Sequence, residues 1–138
     1  MAALRPTATG APGYSETLPC TPESVGRARR LVVTALKTWG LYELADEATL
    51  ITSELVTNAL KHSKCRYMRL RVSRPASDRV LVIVTDRSVA PPILRAPDEK
   101  EMNGRGLLLV DVLSNRWGAA RRPFGKSVWA ELIAEGPP

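Results

Sequence analysis

Apolar positions recur along this chain with two different periods. Val25, Ala28, Leu31, Val32 and Leu36 repeat every three or four residues as far as Gly40, which predicts an amphipathic helix. Thr21-Pro22-Glu23 reads as its start, with Thr as N-cap, Pro in the first helical position and Glu at the positive end of the dipole. Gly40 is a natural stop. Leu44, Ala48, Ile51, Leu55 and Ala59 predict a second helix from about Glu43 to His62. The period then falls to two. Met68, Leu70 and Val72 interleave with Arg69, Arg71 and Ser73, and Val80 to Val84 is apolar on both faces, as an interior strand requires. Ser77-Asp78 makes the turn of this hairpin.

Ser88 to Asn103 contains Pro91, Pro92 and Pro97 and has no periodicity, so it reads as a loop long enough to act as a lid, placed at 87–103. Helical character returns over Leu107–Leu113. Trp117 to Arg121 and Ser127 to Ile133 predict a closing hairpin around Pro123-Phe124-Gly125. Tyr14 to Pro19 fits a short edge strand, and the Ala/Thr/Pro/Gly-rich residues 1–13 fit a disordered arm. The order β-α-α-β-β-loop-α-β-β predicts an α+β domain over 14–135. Its expected form is a two-layer α/β sandwich with one mixed sheet and its helices on one face.

Composition narrows the class. With 138 residues, 44% of them hydrophobic, the chain can bury one core without metal or cross-link. No apolar run approaches the ~18 residues that span a bilayer, and the first twenty residues lack the apolar stretch of a signal peptide. Cys20 and Cys65 have no CxxC or Cys/His company, so neither a zinc site nor a disulfide is expected, and a reducing cytoplasm is the simplest location. Lys and Arg number 20 against 14 Asp and Glu, a net charge of +6 that raises the question of a nucleic-acid partner.

Three features could carry chemistry. Glu54, Asn58 and His62 follow one another at four-residue spacing, so they form a ridge beside the apolar stripe of the second helix. An Asn oxygen suits a hard cation, and a carboxylate one turn away can accept a proton; a solvated helix edge would look the same. Asp86 ends the apolar strand, where it could accept a hydrogen bond from an exocyclic amine or simply cap a turn. Gly104-Arg105-Gly106-Leu107 stands where the lid becomes a helix. Glycines there let backbone N–H groups approach an anion, or merely loosen the start of the helix.

In this order the three features resemble the GHKL (Bergerat-fold) ATPases, and within them the small single-domain proteins of the anti-sigma-factor serine/threonine kinase type. Glu54-Leu55-Val56-Thr57-Asn58-Ala59 with Lys61-His62 is similar to that family's N box. Val84-Thr85-Asp86 resembles the start of its G1 box and Gly104-Arg105-Gly106-Leu107 its G2 box. Gly125-Lys126-Ser127-Val128-Trp129 is similar to the segment that closes the sheet near the phosphate end. The resemblance implies ATP and Mg²⁺ as cofactors. Asn58 would then coordinate Mg²⁺ and Glu54 would be the catalytic base. Asp86 would bind the adenine amine, with Ser88 a candidate donor beside it. Gly104, Arg105, Gly106 and Leu107, together with Lys126 and Ser127, would line the phosphate end.

The resemblance further implies a cytoplasmic protein whose partners are a sigma factor and an anti-anti-sigma (STAS-type) protein, with no direct nucleic acid, no membrane, and a homodimer as one possible state. The chain departs from the family at Arg87-Ser88-Val89-Ala90, where the G1 box carries two glycines. Two readings therefore stand: an anti-sigma kinase, and a partner-binding module on the same fold with weak or no nucleotide binding. Direct DNA binding is the third and weakest.

Overall fold

A computed structural model describes residues 4–6, 12–62, 65–88, 105–123 and 125–135. Among the described residues, six strands and three α-helices form a two-layer α+β sandwich: β1 (Leu4–Pro6), β2 (Pro12–Pro19), α1 (Ser24–Thr38), α2 (Ala45–His62), β3 (Cys65–Ala76), β4 (Arg79–Ser88), α3 (Arg105–Leu113), β5 (Arg116–Arg122) and β6 (Gly125–Ile133). The sheet order is β1-β2-β3-β4-β6-β5.

Every pairing in this sheet is antiparallel, which corrects the expected mixed sheet. A single crossover helix would return the chain for a parallel strand. Between β2 and β3, however, two packed helices bring it back to the end it left. Strands β4 and β5 do run the same way across α3, but β6 inserts between them and pairs with both. A second correction concerns the N-terminus: within the expected arm, Leu4–Pro6 pairs with Pro12–Tyr14 as the edge strand, so β2 is covered along part of its length.

Local chemistry explains the element ends. Helix α1 begins at Ser24, later than Thr21-Pro22 suggests, because those residues form a turn in which the N–H groups of Ser24 and Val25 donate to the carbonyls of Thr21 and Pro22 at 3.0 and 3.2 Å. Its end is as expected. Gly40 takes φ +70°, and the N–H groups of Gly40 and Leu41 donate back to the carbonyls of Lys37 and Leu36, satisfying the last turn. A short 3₁₀ turn, Tyr42–Leu44, then feeds α2.

The core lies between the layers. Ala28, Leu31, Val32, Ala35 and Leu36 of α1 and Ala48, Ile51, Leu55, Val56 and Ala59 of α2 meet Leu18, Met68, Leu70, Val72, Val80, Val82, Val84, Val128, Ala130 and Leu132 from the inner face of the sheet. Alternation sends Arg69, Arg71, Ile83 and Trp129 to the outer face. Trp129 lies over Gly118 on β5, whose missing side chain leaves room for the indole: a Cβ there would stand 2.8 Å from the ring. Trp117 faces inward and donates its indole N–H to Asp111 at 2.8 Å, so the two tryptophans pack on opposite sides of the sheet.

Cys20 and Cys65 form a disulfide with a Cα–Cα distance of 6.2 Å, which overturns the expectation of unpaired thiols. The cause is topological. Cys20 follows β2 and Cys65 opens β3, and antiparallel pairing brings them side by side, with the Cys20 N–H donating to the Arg66 carbonyl at 2.8 Å.

Candidate functional site

The same topology gathers the candidate residues at one end of the sandwich. Helix α2 ends at His62, shortly before Cys65, so its C-terminal turns approach the end where β3 begins. Cys65 pairs with Ser88, which places the end of β4 there too, and Asp86 pairs with Lys126 at the start of β6. Helix α3 packs along α2 and closes at the far end, where the Asn115 N–H donates to the Glu131 carbonyl at 2.7 Å; its N-terminus is therefore directed toward the Asp86 end.

Asn58 and Glu54 stand one turn apart on α2, about 6 Å along its axis, and both are half-buried beside the core stripe of Leu55 and Ala59. The Asn58 side-chain nitrogen is fully buried and has no hydrogen-bond partner among the described residues. An unmet amide donor in such a position costs about 1–3 kcal/mol unless an acceptor atom engages it, so it fits a bound group that presents an oxygen there. Asp86 is buried, 5% exposed, on the inner face of β4 in line with Val82 and Val84. The Lys126 backbone N–H donates to its Oδ1 at 3.3 Å. A buried carboxylate at a strand end suits recognition of a neutral donor such as an aromatic amine.

The remaining candidates divide. Lys126 is half-buried on the inner face beside Asp86. Ser127 points the other way: it pairs with Thr85, and the two hydroxyls share a 2.8 Å hydrogen bond on the outer side of the sheet. Leu107 is buried in the core, so it holds α3 in place and can meet a ligand only through its backbone. Arg105 and Gly106 open α3, and Ser88 ends β4. Gly104 and lid residues 89–103 lie outside the described residues. Among the described residues no three His, Cys, Asp or Glu side chains converge on a metal site. The Asn58 side-chain oxygen is a neutral ligand of the kind a hard cation takes, so this residue fits a cation that an anionic ligand brings with it.

Two features escaped the sequence. The segment Gly125-Lys126, expected near the phosphate end, lies against Asp86, and its signal, a glycine after a hairpin turn, acquires meaning only once the β4–β6 register is known. The second is an ion-pair cluster on the outer face. Glu131, 4% exposed, accepts from Arg116 at 3.1 and 3.2 Å and from Asn115 at 2.8 Å, with Arg79 at 3.8 Å. Burial pushes its carboxyl up, but the hydrogen bonds from Arg116 and Asn115 and the charges of Arg116 and Arg79 together hold it below the usual carboxylate range. With Arg27 paired to Glu16, these contacts engage part of the basic excess inside the molecule. No helix among the described residues is long and apolar enough to cross a membrane.

The family model for the histidine kinase-like ATPase domain matches residues 18–132, nearly the whole chain. Among curated proteins none matches significantly.

Proposed function

Since the chain belongs to the histidine kinase-like ATPase family, an ATP-binding domain, we propose that it is a serine/threonine protein kinase of the anti-sigma-factor type. In this reading it phosphorylates an anti-anti-sigma (STAS-type) partner and binds a sigma factor through another surface. The observation that carries it is the buried Asn58 side-chain nitrogen, a donor left without a partner among the described residues one turn from Glu54, toward the end of the fold that also holds buried Asp86.

Asn58 would hold Mg²⁺ through its side-chain oxygen, and the backbone N–H groups at the start of α3 would take phosphate oxygens. Bound Mg·ATP supplies the phosphoryl group and neutralises charge as it moves. Glu54 would accept the proton of the partner's hydroxyl, a role that needs position more than covalent chemistry. Asp86 would accept from the adenine amine.

Incubation with Mg·ATP and a candidate anti-anti-sigma protein should place phosphate on a Ser or Thr of that protein. Glu54→Ala should abolish transfer while nucleotide still binds; transfer that survives it removes Glu54 as the base. The second reading, a partner-binding module, rests on Arg87-Ser88 standing where the family has a glycine-bearing turn. Calorimetry showing no ATP or ADP binding at millimolar nucleotide, with or without Mg²⁺, would favour it over the kinase.

A further inference from the structure

The hairpin that returns the chain from β5 to β6 delivers Gly125 directly onto Asp86. A Cβ built on Gly125 would lie 2.9 Å from Asp86 Oδ1 and closer still to the Asp86 carbonyl oxygen, so no residue with a side chain fits without moving one strand from the other. Its φ of +155° is likewise one that L residues rarely adopt. The next residue supplies the contact that this closeness permits, the Lys126 N–H on Asp86 Oδ1 at 3.3 Å. A backbone donor is fixed by the strand, unlike a flexible side chain, so it sets the orientation of the carboxylate plane.

We propose that Gly125 is a positioning residue for base recognition: by lacking a side chain it lets β6 close on β4, and the Lys126 N–H then orients Asp86 toward an exocyclic amine. This rests on the reading of Asp86 as the adenine-binding carboxylate. Selectivity for a 6-aminopurine over a 6-oxopurine would thus depend on a residue that touches no nucleotide.

Two measurements on the full chain test it, each on the wild type and on Gly125→Ala. The first is calorimetric affinity for ATP and for ITP, whose base carries oxygen in place of the amine. The wild type should prefer ATP. In Gly125→Ala, ATP should weaken by about tenfold or more while ITP stays within about twofold, the loss expected for one misaligned charged hydrogen bond. A parallel fall in both nucleotides would mark a merely structural glycine and overturn the proposal. Equal affinities in the wild type would instead remove Asp86 as the amine acceptor.

The second measurement needs no nucleotide. The Lys126 amide resonance should follow the ionisation of Asp86 as pH is lowered, and this response should vanish in Asp86→Asn and shrink in Gly125→Ala. An unchanged response in Gly125→Ala overturns the proposal. If that variant does not fold, the wild type against Asp86→Asn decides: a response seen only in the wild type supports the orienting contact, and its absence from both refutes it.

Discussion

Reducing the Cys20–Cys65 disulfide should be among the largest single perturbations available in this molecule. The bridge spans 45 positions in sequence, a loop that contains α1 and α2 and hence half of the core. In the chain-entropy account, closing a loop of that size removes about 13 cal/mol/K from the unfolded state, which stabilises the fold by about 4 kcal/mol at 25 °C. Unfolding entropy of about 2.1 cal/mol/K per residue then converts the loss into a fall of about 14 °C in Tm. Thermal unfolding followed by circular dichroism, with and without dithiothreitol, measures it. The double variant Cys20→Ala/Cys65→Ala should melt near the reduced wild type and ignore the reductant. The reasoning fails if the oxidised and reduced proteins melt within about 2 °C, or if thiol titration of the denatured, unreduced protein finds two free cysteines.

Three further outcomes follow from packing and charge. Gly118→Val should cost about 1–3 kcal/mol in urea unfolding, because the added carbons enter the space of the Trp129 ring; a shift in Trp fluorescence should accompany it. Leu55→Ala, in the middle of α2 and 1% exposed, should cost about 2–5 kcal/mol in the same assay. Glu131 ionises more readily folded than unfolded, so its contribution is complete above the unfolded pKa of about 4.3 and is lost as pH falls through the lower folded value. Glu131→Gln should therefore lower stability at pH 7 and flatten its dependence on pH below about 5, as unfolding at a series of pH values would read out.

Much of this fold is written in local periodicity. The stripe Leu44, Ala48, Ile51, Leu55 and Ala59 predicts α2 because each side chain must reach the same core, and Ser77-Asp78 predicts the β3–β4 turn because those residues favour one. What local pattern omits is which strand sits beside which. A strand–helix–strand order such as β4–α3–β5 predicts a parallel pair and hence a mixed sheet, and only the insertion of β6 makes every neighbour antiparallel. The cysteines escaped for the same reason, since their nearness is a property of the β2–β3 register.

In the site, helical spacing made the pairing of Glu54 with Asn58 legible, because four residues along a helix is geometry. The resemblance places Ser127 together with Lys126 at the phosphate end, yet neighbours along a strand face opposite sides, and the register against Thr85 and Asp86 decides which of them looks inward. The proximity of Gly125 to Asp86 is likewise a fact of pairing and not of spacing.

The tight β3–β4 turn at Ser77-Asp78 has a practical use that follows from its position. Its exposed residues close the sheet at the end opposite Asp86, where the Asp78 carbonyl accepts from the Ala134 N–H at 2.7 Å. Asp86 lies seven residue steps along β4 from Arg79, about 23 Å of extended chain. A fluorophore attached at Ser77 would therefore sit a useful energy-transfer distance from a labelled nucleotide at the other end, on a rigid strand that serves as its ruler.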